Sequence, residues 1–154
     1  MVRANPKRNK IITDSANFPT DRYILEGIAD QYGIELIIID NENVNGQEYE
    51  RITADILEPY MSNSVSLVTF QVLQYRSGAL NPIKEITELA HSKGIIVVVD
   101  GCQGAPHLKL DMQDLDCDFY AISCHKMYGP TGLGILYAKK KWLEELPPYQ
   151  GGGG

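Results

Sequence analysis

Two runs of consecutive aliphatic residues constrain the fold of this chain more than any other feature. Leu36–Ile39 and Ile95–Val99 contain leucine, isoleucine and valine without a polar interruption. Such β-branched runs are typical of strands that are buried on both faces of a parallel sheet. We therefore expect both segments to be doubly buried strands of a sheet that is covered by helices.

Four more apolar segments have the length of a strand, and segments with helical periodicity alternate with them. Thr20–Tyr32 is followed by Gly33, and Asn81–Pro82 opens a second helical segment that runs to Gly94. The other predicted strands are Lys10–Thr13, Ser66–Phe70, Phe119–Ser123 and Gly134–Tyr137. This alternation predicts an α/β fold with a mostly parallel sheet and flanking helices.

Length and composition fit one folded domain. The chain has 154 residues, of which 44% are hydrophobic and 22% are charged. We assign residues 1–146 to the domain, and residues 147–154, rich in proline and glycine, to a loop or to the truncated end of a longer chain.

Charge and cysteine usage exclude several classes of protein. The net charge is −6 and the acidic residues are scattered, so the chain is not expected to bind nucleic acid. Three cysteines without a C-x-x-C pair indicate neither disulfides nor a zinc site, and no apolar run has the length of a membrane span. We expect a cytoplasmic protein that has no metal centre and no membrane partner.

Two charged residues follow strongly apolar strands. Asp100 ends one predicted strand, and Lys126 follows the next strand within Ser123–Lys126. The carboxyl ends of parallel strands are where open α/β sheets bind ligands, so both side chains are expected at one edge. A turn aspartate and a solvated lysine remain the alternatives on position alone.

Asp100 and Lys126 have the chemistry that pyridoxal phosphate (PLP) requires. A carboxylate keeps the pyridine nitrogen protonated, and a lysine amine holds the aldehyde carbon as an imine. The glycine-rich turn Gly129–Gly134 lacks the G-x-G-x-x-G order and precedes a strand, so a nucleotide site is not favoured.

From about residue 81 onward, the sequence resembles cysteine desulfurases and selenocysteine lyases. These enzymes are fold-type I PLP enzymes of the class V aminotransferase superfamily, and the resemblance implies that the chain is part of a large PLP-binding domain. The matching segments are Val99–His107, Asp111–Phe119, Ser123–Tyr137 and Leu146–Gly153.

The resemblance implies roles for individual residues. Lys126 matches the catalytic Schiff-base lysine, and Asp100 matches the partner of the pyridinium nitrogen. Gln103 matches a hydrogen-bond donor to the phenolic oxygen of the cofactor. Ser123 and His125 match residues that bind its phosphate.

The first third of the chain resembles kynureninases instead, through Asn17–Tyr23 and Tyr75–Ala79. That resemblance implies that Phe18 stacks on the cofactor ring and that Asp21 lies in the site. Desulfurases usually place a histidine over the ring. Kynureninases, however, usually have a tyrosine immediately before the lysine, where this chain has His125.

The expected function is that of a PLP-dependent cysteine desulfurase, which converts L-cysteine to L-alanine and transfers sulfur to an acceptor protein. A kynureninase-like hydrolase and a non-catalytic fragment are the alternatives. The family forms homodimers, and its nucleophilic cysteine lies beyond the end of this chain. The chain therefore looks like a fragment.

Several other residues have more than one interpretation. Arg76 is suited to bind the carboxylate of a substrate, but a surface salt bridge explains an arginine here equally well. We interpret His91 as a solvated residue near a helix end, and Cys124 as a small packing residue. A hydrolase that uses Ser123 is not favoured, because no G-x-S-x-G turn surrounds it.

Overall fold

The structure, a computed structural model, describes residues 7–41 and 51–147. Its described strands are β1 Lys10–Asp14, β2 Glu35–Ile39, β3 Val65–Gln71, β4 Ile96–Asp100, β5 Phe119–Ser123 and β6 Gly134–Ala138. Its described α-helices are α1 Pro19–Tyr32, α2 Ala54–Leu57, α3 Ile83–Ser92, α4 Met112–Leu115 and α5 Lys140–Glu145. Short 3₁₀ helices cover Glu58–Tyr60 and Cys124–Met127.

One sheet organises these elements, with the strand order β2-β1-β3-β4-β5-β6. The first five strands in this order pair in parallel, and β6 pairs with β5 in the antiparallel direction. The prediction of a mostly parallel sheet with flanking helices is confirmed. The carboxyl ends of the parallel strands lie along one side of the sheet, which we call the carboxyl edge; the opposite side is the amino edge.

The core lies around the two central strands. Val68 and Phe70 of β3 are buried, as are Val97 and Val99 of β4. Helix α3 packs on this face through its buried residues, which recur at helical spacing: Ile83, Ile86, Thr87 and Ala90. Each large aliphatic side chain buried here stabilises the fold by roughly 1.5–3 kcal/mol. The run Ile95–Val99 is therefore fully buried on this face, whereas Ile96 and Val98 on the other face are only partly buried, so the expected burial on both faces is met on one face alone.

The isoleucine run behaves differently from the prediction. Strand β2 lies at the end of the sheet and pairs with β1 alone among the described strands. Glu35 is exposed and Ile38 is 36% exposed, whereas Ile39 is buried. The prediction that this run is buried on both faces is therefore wrong. A run of apolar residues does not indicate how many strands lie beside it in the sheet.

Helix α1 begins and ends where its sequence signals are. Pro19 stands at its first turn, where a missing N–H costs no hydrogen bond. Gly33 follows its last residue with φ +64°, a left-handed conformation that favours glycine. Helix α1 therefore ends close to the predicted position, and the chain turns directly into β2.

A buried carboxylate connects several elements at the amino edge. The side chain of Asp118 is 1% exposed and accepts hydrogen bonds from the Val97 amide at 2.9 Å and the Trp142 indole at 2.7 Å. His91 Nε2 lies 2.8 Å from Asp118 Oδ2, and Lys141 Nζ lies 3.3 Å from Oδ1. These contacts link α3, β4 and α5 to the start of β5.

These contacts also correct the interpretation of His91 as solvated surface. Its side chain is 26% exposed and contacts both Asp116 and Asp118. Burial alone would raise the pKa of Asp118, but hydrogen bonds from Val97, Trp142 and His91 outweigh burial and lower it. The aspartates lie 25 and 27 residues after His91 in the chain, so no local pattern indicates the contact.

None of the helices in the part of the chain that the structure describes has both the length and the apolar character needed to cross a membrane.

Candidate functional site

Two neighbouring strands place charged side chains at the carboxyl edge. Asp100 is the last residue of β4, and Ser123 is the last residue of β5. The 3₁₀ helix that follows β5 directly contains His125 and Lys126. Since β4 and β5 pair in parallel, the structure brings Asp100 and Lys126 to the same edge, as the sequence predicts.

The carboxylate of Asp100 is oriented by two donors of the chain. Its Oδ1 accepts a hydrogen bond from the Cys102 amide at 2.8 Å. Its Oδ2 accepts one from Nε2 of Gln71 at 3.0 Å. With one donor at each oxygen, the plane of the carboxylate is fixed while part of it stays accessible.

A second carboxyl group, Asp21 of α1, lies next to Asp100. Burial chiefly, and with it the neighbouring Asp100 carboxylate, raises the pKa of Asp21 to about 6. Burial and Asp100 also raise the pKa of the Cys102 thiol to about 12, against a smaller opposite effect of Lys126. Cys102 is therefore a neutral thiol at physiological pH and not an activated nucleophile.

Phe18 stands beside Lys126. Nζ of Lys126 lies 5.8 Å from the centroid of the Phe18 ring, within the range of a cation–π contact. The Tyr75 ring packs against Phe18 edge to face, with centroids 5.1 Å apart. The Phe18 amide donates to the buried Asn17 side chain at 2.8 Å, and Asn17 in turn donates to Thr13 at 2.9 Å. The main chain of Phe18 is thus anchored to β1 through Asn17.

The remaining predicted residues lie near the same edge with different degrees of exposure. Ser123 Oγ and His125 Nδ1 share a hydrogen bond of 2.7 Å, so these two polar groups are adjacent. Gln103 is half-buried in the loop after β4. Arg76 is exposed on the turn between Gln74 and Ala79, and its assignment to a substrate remains a prediction.

Tyr120 of β5 supports the loop after β4. Its side chain is 1% exposed, and a Cβ atom on Gly101 would overlap its ring. Within the described residues, the Tyr120 hydroxyl has no hydrogen-bond partner. Gly101 therefore lets the loop that carries Cys102 and Gln103 lie directly on the aromatic ring, and Gly104 lets the same loop approach Val72 closely.

Comparison with known proteins identifies the family. The sequence model of the aminotransferase class V family matches residues 2–154. The chain belongs to the class V aminotransferase family. A probable cysteine desulfurase of Halalkalibacterium halodurans is 47% identical over 102 residues, which are 66% of this chain and 25% of that protein.

Solved structures of class V aminotransferase relatives have the same fold. The cysteine desulfurase CsdA from Escherichia coli superimposes with a TM-score of 0.83 at 34% identity, over 94% of this chain and 35% of that one. A C-DES mutant with glycine covalently linked to its PLP cofactor has a TM-score of 0.79 at 27% identity, over 91% and 37%. The chain thus spans about a quarter to a third of the length of these relatives. The likeness to desulfurases is confirmed, whereas none of these relatives supports the kynureninase-like interpretation of the first third.

The residues at the carboxyl edge fit the cofactor of this family. PLP requires an anion at its ring nitrogen, an amine at its carbonyl carbon and an apolar surface against its ring. Asp100, Lys126 and Phe18 supply these three groups from β4, from the turn after β5 and from the start of α1. Within the described residues, no cluster of side chains is suited to a metal ion.

Two residues of this edge are missing from the sequence interpretation. Gln71 contacts Asp100, and Asp14 is a carboxyl group that is 1% exposed at the end of β1. Burial raises the pKa of Asp14 to about 6, although Asn41 and Arg22 act in the opposite direction. Both residues end strands that point to the site, and this position is the signal that was available in the sequence.

Proposed function

We propose that this chain is the cofactor-binding part of a PLP-dependent cysteine desulfurase. One observation carries the proposal: Asp100 ends β4, Lys126 lies in the turn after the adjacent parallel strand β5, and Phe18 lies against the lysine. When bound, PLP supplies an electron sink that stabilises negative charge on the substrate's α-carbon. The names of the relatives, cysteine desulfurases, support L-cysteine as the substrate.

Each residue of the chain has a proposed part in this chemistry. Lys126 attaches the cofactor and later accepts and donates protons with its amine. Asp100 keeps the ring nitrogen protonated, and Phe18 covers the ring. Ser123 and His125 bind the phosphate, a role supported by their mutual hydrogen bond of 2.7 Å, which keeps the two polar groups adjacent.

Gln103 and Arg76 have proposed contacts with the cofactor and with the substrate, respectively. Gln103 is half-buried in the loop that follows Asp100, and this position supports a role in which its amide would hold the phenolic oxygen of the cofactor. Arg76 is exposed at the same edge and suits a substrate carboxylate, since a guanidinium binds carboxylates in bidentate fashion.

The complete reaction needs parts from outside this chain. Cys102 and Cys117 have raised pKa values, chiefly because of burial, and Cys124 is buried, so none of the three suits a sulfur-accepting nucleophile. We propose that the nucleophilic cysteine belongs to another part of a longer protein. That protein would act as a homodimer in the cytoplasm and transfer sulfur to an acceptor protein.

A kynureninase-like hydrolase is the second candidate, favoured by the Asp21–Asp100 pair and by the packing of Tyr75 on Phe18. A non-catalytic fragment is the third. Incubation of the full chain with PLP and either L-cysteine or L-kynurenine separates the candidates. Alanine with sulfide supports the desulfurase, and anthranilate supports the hydrolase. Because the nucleophilic cysteine is proposed to lie outside this chain, a chain that retains PLP without forming product agrees with the desulfurase. The fragment is supported only if the chain neither forms product nor retains PLP.

The cofactor site itself is tested by absorbance. We expect the full chain to retain a PLP absorbance band after desalting, and borohydride to fix the cofactor on Lys126 in a peptide map. Lys126→Ala should abolish both, whereas Lys109→Ala, at an exposed position away from the strand ends, should retain both. Retention of the label by Lys126→Ala would contradict the proposal.

A further inference from the structure

We infer that Gln71 is a positioning residue that holds the Asp100 carboxylate in the orientation required by the ring nitrogen of the cofactor. The inference rests on the proposed function, because it assumes that a pyridine ring binds at the carboxyl edge. Gln71 ends β3, is 2% exposed and pairs with Asp100 in the register of β3 and β4. Its Nε2 donates to Asp100 Oδ2 at 3.0 Å.

The surrounding backbone determines which way the Gln71 amide faces. Its Oε1 accepts a hydrogen bond from the Tyr75 amide at 3.4 Å. A reversed amide would turn its oxygen toward the Asp100 carboxylate and its NH₂ group toward the Tyr75 N–H. Both contacts would then be repulsive, so the donor stays directed at Asp100.

The main chain around Gln71 is also fixed. Its carbonyl oxygen accepts a hydrogen bond from Nδ2 of the buried Asn81 at 2.7 Å. The Val72 amide, next in the chain, donates to the main-chain oxygen of Asp100 at 3.0 Å. Strands β3 and β4 are thus joined where the two side chains meet, and Gln71 cannot move away from Asp100 without breaking these bonds.

An uncharged donor is the suitable chemical type at this position. The ionisable groups that interact with Asp100 are Asp21 from α1, Cys102 from the following loop and Tyr120 from β5, and Lys126 from the turn after β5 acts on Cys102. A lysine or arginine at position 71 would neutralise Asp100 and weaken its attraction for a protonated ring nitrogen. The Gln71 amide orients the carboxylate and leaves its charge available.

The test compares PLP with its deaza analogue, in which carbon replaces the ring nitrogen. In the full chain we expect Gln71→Met to weaken PLP binding about tenfold and binding of the analogue less than twofold, because only PLP uses the oriented carboxylate. Gln74→Met is the matched control: Gln74 is equally buried, but its amide contacts Asp14. The Gln74→Met variant should change the affinities for PLP and for the deaza analogue by the same factor.

Equal weakening of both ligands by Gln71→Met would show a purely structural role and overturn the inference. If that variant does not fold, Gln71→Asn serves in its place, since its amide is one methylene too short to reach Oδ2. Failure of the unmodified chain to bind either ligand contradicts the proposed function instead.

A measurement without cofactor tests the contact by itself. In an NMR spectrum of the unmodified chain, the Gln71 side-chain amide proton should lie downfield, because it donates to a charged oxygen. Asp100→Asn should move this signal upfield, and the exposed Asp111→Asn should not. A signal that does not respond to Asp100→Asn overturns the inference whether or not PLP binds.

Discussion

The two edges of the sheet use aspartates in opposite ways. At the amino edge, Asp118 is surrounded by donors of the chain itself, and its hydrogen bonds lower its pKa against the effect of burial. At the carboxyl edge, Asp21 lies against another carboxylate, and one buried oxygen of Asp14 has no hydrogen-bond partner among the described residues. The hydrogen-bonding needs of the aspartate at the amino edge are therefore met by the chain itself, whereas the carboxyl edge has carboxylates that a ligand could bind.

The largest expected effect is on the amino edge. Asp118→Ala leaves the Val97 amide and the Trp142 indole without acceptors, and should lower the free energy of unfolding by about 3–5 kcal/mol. Urea denaturation measures this change. Asp100→Ala is the matched change at the other edge and should cost only about 1 kcal/mol, since relief of repulsion from Asp21 offsets the lost hydrogen bonds. Equal losses of unfolding free energy in Asp118→Ala and Asp100→Ala would show that the two edges do not differ in this way.

Asp14→Asn should stabilise the chain at high pH. The pKa of Asp14 is raised from 3.8 to about 6, so its charged form opposes folding fully above pH 6, and the penalty disappears as the pH falls toward 4. We expect a gain of about 2 kcal/mol at pH 8 and none at pH 4. Urea denaturation at both values provides the comparison, and a gain that does not depend on pH would contradict the assignment.

Asp21→Asn should act in the same direction with a smaller effect. The pKa of Asp21 is also raised to about 6, chiefly by burial, but its side chain is partly exposed and solvent screens the charge. After this discount we expect a gain of about 1 kcal/mol above pH 6, lost toward pH 4. If the gain vanishes in an Asp100→Ala background, repulsion between the two carboxylates contributes; an unchanged gain would assign the effect to burial alone.

Lys141→Ala is expected to have the smallest effect. Lys141 is 52% exposed and lies 3.3 Å from Asp118, which already has donors from Val97 and Trp142. An exposed partner of this kind contributes about 0.5 kcal/mol or less. A loss above 1 kcal/mol by thermal or urea unfolding would show that the lysine is an essential part of the amino edge.

The sequence predicts the sheet and the principal site residues well, for physical reasons. The valine run before Asp100 is long and apolar enough to place its strand in the interior, and Lys126 follows the adjoining strand. Both residues therefore reach one edge whatever the details of packing are. Strand β2 shows the limit, because the number of neighbours of a strand depends on sheet order and not on its own residues.

Contacts between side chains distant in the chain are the part that the sequence does not reveal. The hydrogen bond between Gln71 and Asp100 depends on the register of β3 against β4, and the contact between His91 and Asp118 depends on how α3 lies beside β5. Register and helix placement follow from packing over the whole core. No spacing between these residues in the sequence indicates either contact.

The wide separation of the site residues along the chain has a consequence for folding. Phe18 and Lys126 come together only after β3 has paired with β1, β4 with β3 and β5 with β4. Contacts between residues so far apart in the chain form slowly, because the conformational entropy of the intervening chain is lost before the contacts stabilise the fold. During synthesis, Gln71 and Asp100 emerge before Lys126 does, so the proposed covalent attachment of a cofactor can only follow the synthesis of β3 and β4.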